Sequence, residues 1–169
     1  KYTREIQRVR FAVHNDEEES IGDIHLVAYS VPHSTQLDND EKKKTKMNEP
    51  NKWQGIYVYR ENRMLVAHDW FKLRSRESHA NCLRIEMNFD YKLDDDLQLD
   101  FKKTRVIFNP AIRAAIKNEW LPIVGTEAQR LYRERGKTSD DDDDDAESES
   151  DNLLSEVDVE NLDVVVPDN

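Results

Sequence analysis

Residues 97–108, LQLDFKKTRVIF, hold the arrangement in this chain best suited to contact with an anion. Leu97, Leu99 and Phe101 alternate as a strand would, and the run ends in Lys102, Lys103 and Thr104 before a second short strand, Arg105–Phe108. A lysine at a strand end projects away from its own domain, and its compact ammonium suits a phosphate oxygen. The same two lysines also read as ordinary exposed residues, the usual state of that side chain. Lys42, Lys43, Lys44 and Lys46 form a basic loop tip, suited to a nucleic-acid backbone or simply to solvent.

Other chemistries find little support. The four glycines, at 22, 55, 125 and 136, are too far apart for a phosphate-cradling loop. No serine-centred nucleophile motif occurs. None of the five histidines (14, 25, 33, 68, 79) lies three or four residues from another, so no local metal motif is present. Asp94-Asp95-Asp96 lacks the spacing and the glycine of a calcium loop and reads as a solvated turn. Cys82 is the single cysteine, which excludes an intrachain disulfide framework and points to a reducing compartment.

Charge is distributed unevenly along the 169 residues. Of the 36 acidic residues, fourteen follow Thr138, where no Lys or Arg occurs. Residues 1–138 therefore carry 22 acidic and 25 basic side chains. The body is mildly basic, compatible with nucleic acid, and the tail sets the low isoelectric point. No apolar run approaches the length that spans a bilayer, and no membrane partner is expected. A chain whose first residue is Lys1 is expected to be a fragment or a processed product.

The elements that must position these residues follow from periodicity. Arg4–Val13 and Ile24–Val31 read as strands. Ser34–Lys52 reads as a long polar loop. Gln54–Trp70 reads as a hairpin with its tip at Glu61-Asn62-Arg63, Ile56 and Val58 on one face and Tyr57 and Tyr59 on the other. Phe71–Ala80 reads as a polar loop. Cys82–Phe89 alternates cleanly, with Leu83, Ile85, Met87 and Phe89 on one face. The period then changes. Asn109 can cap a helix whose first turn holds Pro110, and Ile112, Ala115, Ile116 and Trp120 form its apolar stripe. Pro122 is expected to interrupt it, and Thr126 with Gln129 to cap a second helix running to about Arg135.

The expected fold is α+β: a mixed or antiparallel sheet of about five to seven strands, with C-terminal helices packed on one face. Residues 1–138 form the domain. Residues 139–169 are expected to be an acidic disordered tail outside the core, because six consecutive aspartates repel one another. Within that tail Val164-Val165-Val166 could add as a strand to a partner's sheet edge, and the acids could compete with nucleic acid for the basic body.

Two segments together resemble a known family. GIYVYRENRMLVAHDWFKL (Gly55–Leu73) is similar to the hairpin of the second domain in GHKL ATPases, which include the gyrase B subunit, MutL, the ninety-kilodalton heat-shock chaperones and the MORC proteins. Gly55, Tyr57, Tyr59, Arg60, Asn62, Arg63 and Leu65 carry the likeness. DFKKTRVIF (Asp100–Phe108) resembles the segment bearing that domain's lysine, with Lys103 three residues before Val106-x-Phe108. The order Lys-Lys-Thr differs from the gyrase-type Gln-Thr-Lys, so Lys102 stands as the fallback.

The resemblance implies a ribosomal-protein-S5-domain-2-like transducer domain covering about Arg4 to Arg135. It implies ATP and Mg2+ in the parent protein, bound mainly by a preceding GHKL ATP-binding domain, with Lys103 and Thr104 as this chain's cofactor-binding residues. Lys103 would sense the γ-phosphate and so couple nucleotide state to movement, as a ligand-driven switch requires. The chain alone would not be catalytic, while its parent would be an ATPase, in settings such as DNA repair or defence. A homodimer and DNA are the partners such an engine uses, in the cytoplasm, or in the nucleus of a eukaryote. A different class also fits the residues: a non-enzymatic α+β binding module for nucleic acid or protein, with an acidic regulatory tail.

Overall fold

The structure is a computed structural model, and it describes residues 3–99, 105–136 and 160–167. Six strands form one mixed sheet: β1 (Arg4–His14), β2 (Ser20–Ser30), β3 (Gly55–Arg60), β4 (Arg63–Asp69), β5 (Leu83–Phe89) and β6 (Asn161–Val165). Their order across the sheet is β4-β3-β5-β2-β1-β6. β1 with β2, β2 with β5 and β3 with β4 run antiparallel, whereas β3 with β5 and β1 with β6 run parallel. The α+β class expected from the order of periodicities is the class observed.

Alternation decides which face is buried. Leu83, Ile85, Met87 and Phe89 on β5 are buried and meet Val9, Phe11 and Val13 of β1 and Ile24, Leu26 and Ala28 of β2 in one core. The C-terminal helices close that core. The stripe Ile112, Ala115, Ile116 and Trp120 is buried, as its spacing predicts.

The helical segment does not break at Pro122. α3 (Pro110–Ala115) passes through a π turn, Ile116–Trp120, into α4 (Leu121–Gly136). Proline has no N–H to offer the carbonyl four residues back. The wider turn absorbs the mismatch just before it: the Leu121 N–H donates to the Ile116 carbonyl, five residues back. Thr126 is therefore mid-helix and caps nothing; its hydroxyl donates to the Pro122 carbonyl at 3.0 Å.

Three further expectations are corrected. Ser34–Lys52 is not a loop, because it contains α1 (Asn39–Thr45) and the short α2 (Pro50–Trp53). Asp38 accepts from the Asp40 and Glu41 N–H groups while Glu41 reaches back to Asp38, a full capping box. Leu97 and Leu99 do not continue a strand. Gln98 has φ 39°, and the Leu97 and Leu99 N–H groups close turns onto Leu93 and Asp94. Arg105–Phe108 alternates exposed and buried residues, but it lies outside the sheet and is held by Ile107 N–H to Leu97 O and Asn109 N–H to Asp96 O.

The third correction concerns the tail. Residues 161–165 are β6, and Val164 and Val166 are buried in the core. The valine run does add to a sheet edge, but the edge belongs to its own chain. Both ends of β6 have sequence causes. In the β1 register, Leu162 and Val164 lie beside Phe11 and Val13 on the core face. One step back on that parity stands Glu160, a charge that would enter the core. At the other end the Val166 N–H donates to His14 O at 2.8 Å, and Pro167 has no N–H with which to continue.

Candidate functional site

The hairpin β3–β4 is fixed at its base by a buried amide. Gln54 is fully buried. Its Nε2 donates to Asn51 Oδ1 (2.8 Å), the Glu77 carbonyl (3.0 Å) and Asn81 Oδ1 (3.0 Å). Its Oε1 accepts from Trp70 Nε1 (3.1 Å) and the Glu77 N–H (3.3 Å). One side chain thus ties the start of β3 to the end of the hairpin and to the loop before β5. Arg76 works beside it, donating to the carbonyls of Asn51, Lys52, Gln54 and His68.

The tip is a two-residue turn. Arg60 pairs with Arg63, and Glu61 and Asn62 both have positive φ (48° and 65°). The fold compensates a glutamate in that conformation. The Glu61 N–H donates to Phe89 O at 2.9 Å, and Asn88 Nδ2 donates to Asn62 Oδ1 at 2.7 Å. Arg60 forms a two-pronged pair with Asp94 at 2.6 and 2.7 Å. The acidic turn read as solvated therefore anchors the hairpin through Asp94.

Where β4 leaves the sheet the backbone is unusual. His68, Phe71 and Lys72 have φ of 48°, 49° and 59°. Asp69 Oδ1 accepts from the Phe71 N–H at 2.7 Å and holds the turn, while the Phe71 ring packs on Phe108 with centroids 4.9 Å apart. This turn, the segment 105–107 and α3 line an open pocket of about 330 Å³. Val66, Phe71, Val106 and Ile107 supply apolar walls, with Lys72, Arg105, Arg113 and Asp69 as the charged groups. Among the described residues of its lining, Lys72 and Arg105 are exposed and Arg113 is half-buried, so the rim is wet. Such a lining suits an anionic group with several oxygens.

Lys102, Lys103 and Thr104 lie outside the described residues. Arg105, the next residue, forms part of the pocket wall. Lys42, Lys43, Lys44 and Lys46 lie elsewhere, on α1 and its C-cap rather than on a loop tip. Lys43, Lys44 and Lys46 are exposed, Lys42 is half-buried, and Lys46 Nζ sits 5.2 Å from the centre of the Trp53 ring. Lys72 and Arg113 were not visible as site residues. One sits in a polar turn and the other in a helix, and no spacing links them to Arg105. Among the described residues no group of three or more His, Cys, Asp or Glu is placed to hold a metal, and no helix is long and apolar enough to cross a membrane. Compared with models of known protein families, with curated proteins and with solved structures, the chain finds no match.

Proposed function

We propose that this chain is the transducer part of a GHKL-type ATPase, relaying nucleotide state from an ATP-binding domain outside the chain to a conformational change. The observation that carries the reading is the pocket: the segment resembling the family's lysine-bearing loop runs directly into a wall where Arg105 stands with Lys72 and Arg113. Positive charge from three segments at that point suits a neighbouring phosphate-bearing ligand. Lys103, or Lys102 in its place, would contact the terminal phosphate, with Thr104 beside it. The described residues fit phosphate oxygens but offer no acidic cluster for Mg2+, which would be held by the ATP-binding domain. Loss of the γ-phosphate would remove the lysine's partner, which is the differential contact a switch needs.

In the full-length ATPase, Lys103→Ala is expected to lower ATP turnover by roughly ten-fold or more, the scale of one lost charge-assisted contact. The thermal midpoint should stay within about a degree, because an exposed lysine rarely supports stability. Unchanged turnover in both Lys103→Ala and Lys102→Ala would sink the reading. So would a coding sequence that, upstream of Lys1, lacks the Asn-x-x-x-Asp and Asp-x-Gly-x-Gly patterns of the nucleotide-binding domain.

The second reading, a nucleic-acid-binding module, has its own support in the exposed Lys43, Lys44 and Lys46 beside Lys42. It requires DNA retardation that weakens with salt and with Lys→Ala changes on α1. Absence of retardation at low salt removes it.

A further inference from the structure

The C-terminal helices close one face of the sheet, and the strand registers lay out the other. Glu86 of β5 stands in the middle of that second face, with Val27 of β2 and Tyr57 of β3 as its direct partners. Tyr29 and Tyr59 occupy two of its diagonals, roughly 7 Å away. All five residues are half-buried, so a carboxylate and three aromatic rings stay partly open to solvent. Met64, paired with Tyr59, is 50% exposed and extends the apolar surface toward the hairpin edge.

The arginines of this face are already committed. Arg8 pairs with Glu5 at 2.7 Å and Arg10 with Asp23 at 2.9 Å. Arg84 donates to the Asn81 and Leu83 carbonyls, both at 2.9 Å, and lies 3.7 Å from Met47 Sδ. Glu86, by contrast, has no ion pair and no side-chain hydrogen bond among the described residues. Its charge falls on the tyrosines instead. Burial, then Glu86, pushes the Tyr29 and Tyr59 phenols above their ordinary value. Both stay neutral, as hydroxyls that can accept a hydrogen bond as well as donate one. Tyr57 is fixed from behind, its hydroxyl donating to the Trp53 carbonyl at 2.7 Å.

A half-buried carboxylate without a counter-charge, set among phenol rings, is complementary to a cation. The rings offer their negative faces and the carboxylate supplies a full charge. A guanidinium suits the place better than an ammonium, because it is planar, stacks on a tyrosine and gives a carboxylate two parallel bonds. A nucleic-acid strand could stack on the same tyrosines, but it would set its phosphates against Glu86. We propose that this face docks a protein partner, and that Glu86, with Tyr29, Tyr57 and Tyr59 around it, receives an arginine side chain of that partner. The surface shares no residue with the pocket, so the assignment does not depend on the ATPase reading.

The test uses the full chain and a blocked arginine, N-acetyl-arginine N-methylamide, followed by two-dimensional NMR of the backbone amides and tyrosine rings. Saturable shifts are expected at Tyr29, Tyr59 and Glu86, with a midpoint on the order of a millimolar for so small a ligand. Glu86→Gln should weaken that midpoint about five-fold or more, the scale of one partly exposed ion pair. The equivalent blocked lysine should bind more weakly than the arginine. Tyr59→Leu leaves the carboxylate in place and should also weaken binding, which keeps the test decisive if Glu86→Gln loses its dispersed spectrum. Equal binding by wild type and either variant overturns the proposal. So does the absence of any saturable shift, or shifts confined to the acidic residues 140–145. A short oligothymidine that shifts the same tyrosines, and binds Glu86→Gln more tightly than wild type, would overturn it in favour of a nucleic-acid strand.

Discussion

Two adjacent residues at the start of β3 carry more of the fold than their size suggests. Gly55 has φ +131°, and a Cβ there would lie 2.9 Å from the His68 carbonyl carbon. The obstacle is backbone, so it cannot swing aside as the end of a side chain could. Gly55→Ala should destabilise the chain by roughly 2 kcal/mol or more, combining strain at positive φ with the clash. Gln54 is saturated on both ends of its amide. Gln54→Ala would leave Trp70 Nε1 buried without its acceptor and break the bonds to the loop at Glu77 and Asn81, at a cost of about 3 kcal/mol. Urea unfolding checks both. Wild-type stability in Gln54→Ala would show that the network is replaceable by solvent. At this scale the sequence is only partly legible. The glycine before an alternating run marks a special backbone position, but nothing local marks Gln54, whose partners lie up to 27 residues away.

Among the elements, legibility follows period. β5 and the helical stripe are readable because alternation and the i, i+3, i+4 pattern report burial directly. α1 is a polar heptamer with no buried residue, so periodicity is silent there, and its one signal is the capping pair Asp38 and Glu41. Pro122 misleads because its local preference for ending a helix is overridden by packing: Trp120, Leu121 and Val124 are all buried around it. The hairpin tip depends on another element. Arg60 and Asp94 are 19% and 31% exposed and make two short parallel bonds. A double-mutant cycle with Arg60→Ala and Asp94→Ala should return a coupling of about 1 kcal/mol, diminished in high salt. A coupling of zero would mean that the tip is held by Glu61 and Asn62 alone. The candidate pocket is legible only on its Arg105 side, because Lys72 reaches it from a turn and Arg113 from helix α3, and no sequence spacing links either to Arg105.

For the molecule as a whole, a division into basic body and acidic tail holds for charge but not for structure. The composition of residues 139–169 hides a five-residue strand, since fourteen acids outweigh five valines in any average. What rescues the strand is tertiary: β1 offers a complementary edge that no local window contains. A chain ending after Val159 should therefore lose stability. Burial of Val164 and Val166 accounts for roughly 3–5 kcal/mol on area grounds, seen as a lower urea midpoint with increased binding of an apolar dye. If the shortened chain unfolds like the full one, β6 contributes nothing to the core.

The pairing of β1 with β6 also imposes an order in time. β1 and β2 can close as a hairpin soon after they are made, and β5 joins from later in the chain. The outer edge of β1 must wait until residue 166 has been synthesised, more than 150 residues after the strand it completes. Contacts so distant in sequence form late and slowly. During that interval the nascent domain carries an open edge. The acidic run, which reaches the solvent before β6 does, places a dense negative charge on every growing chain. It would hold neighbouring nascent copies apart while their edges are exposed.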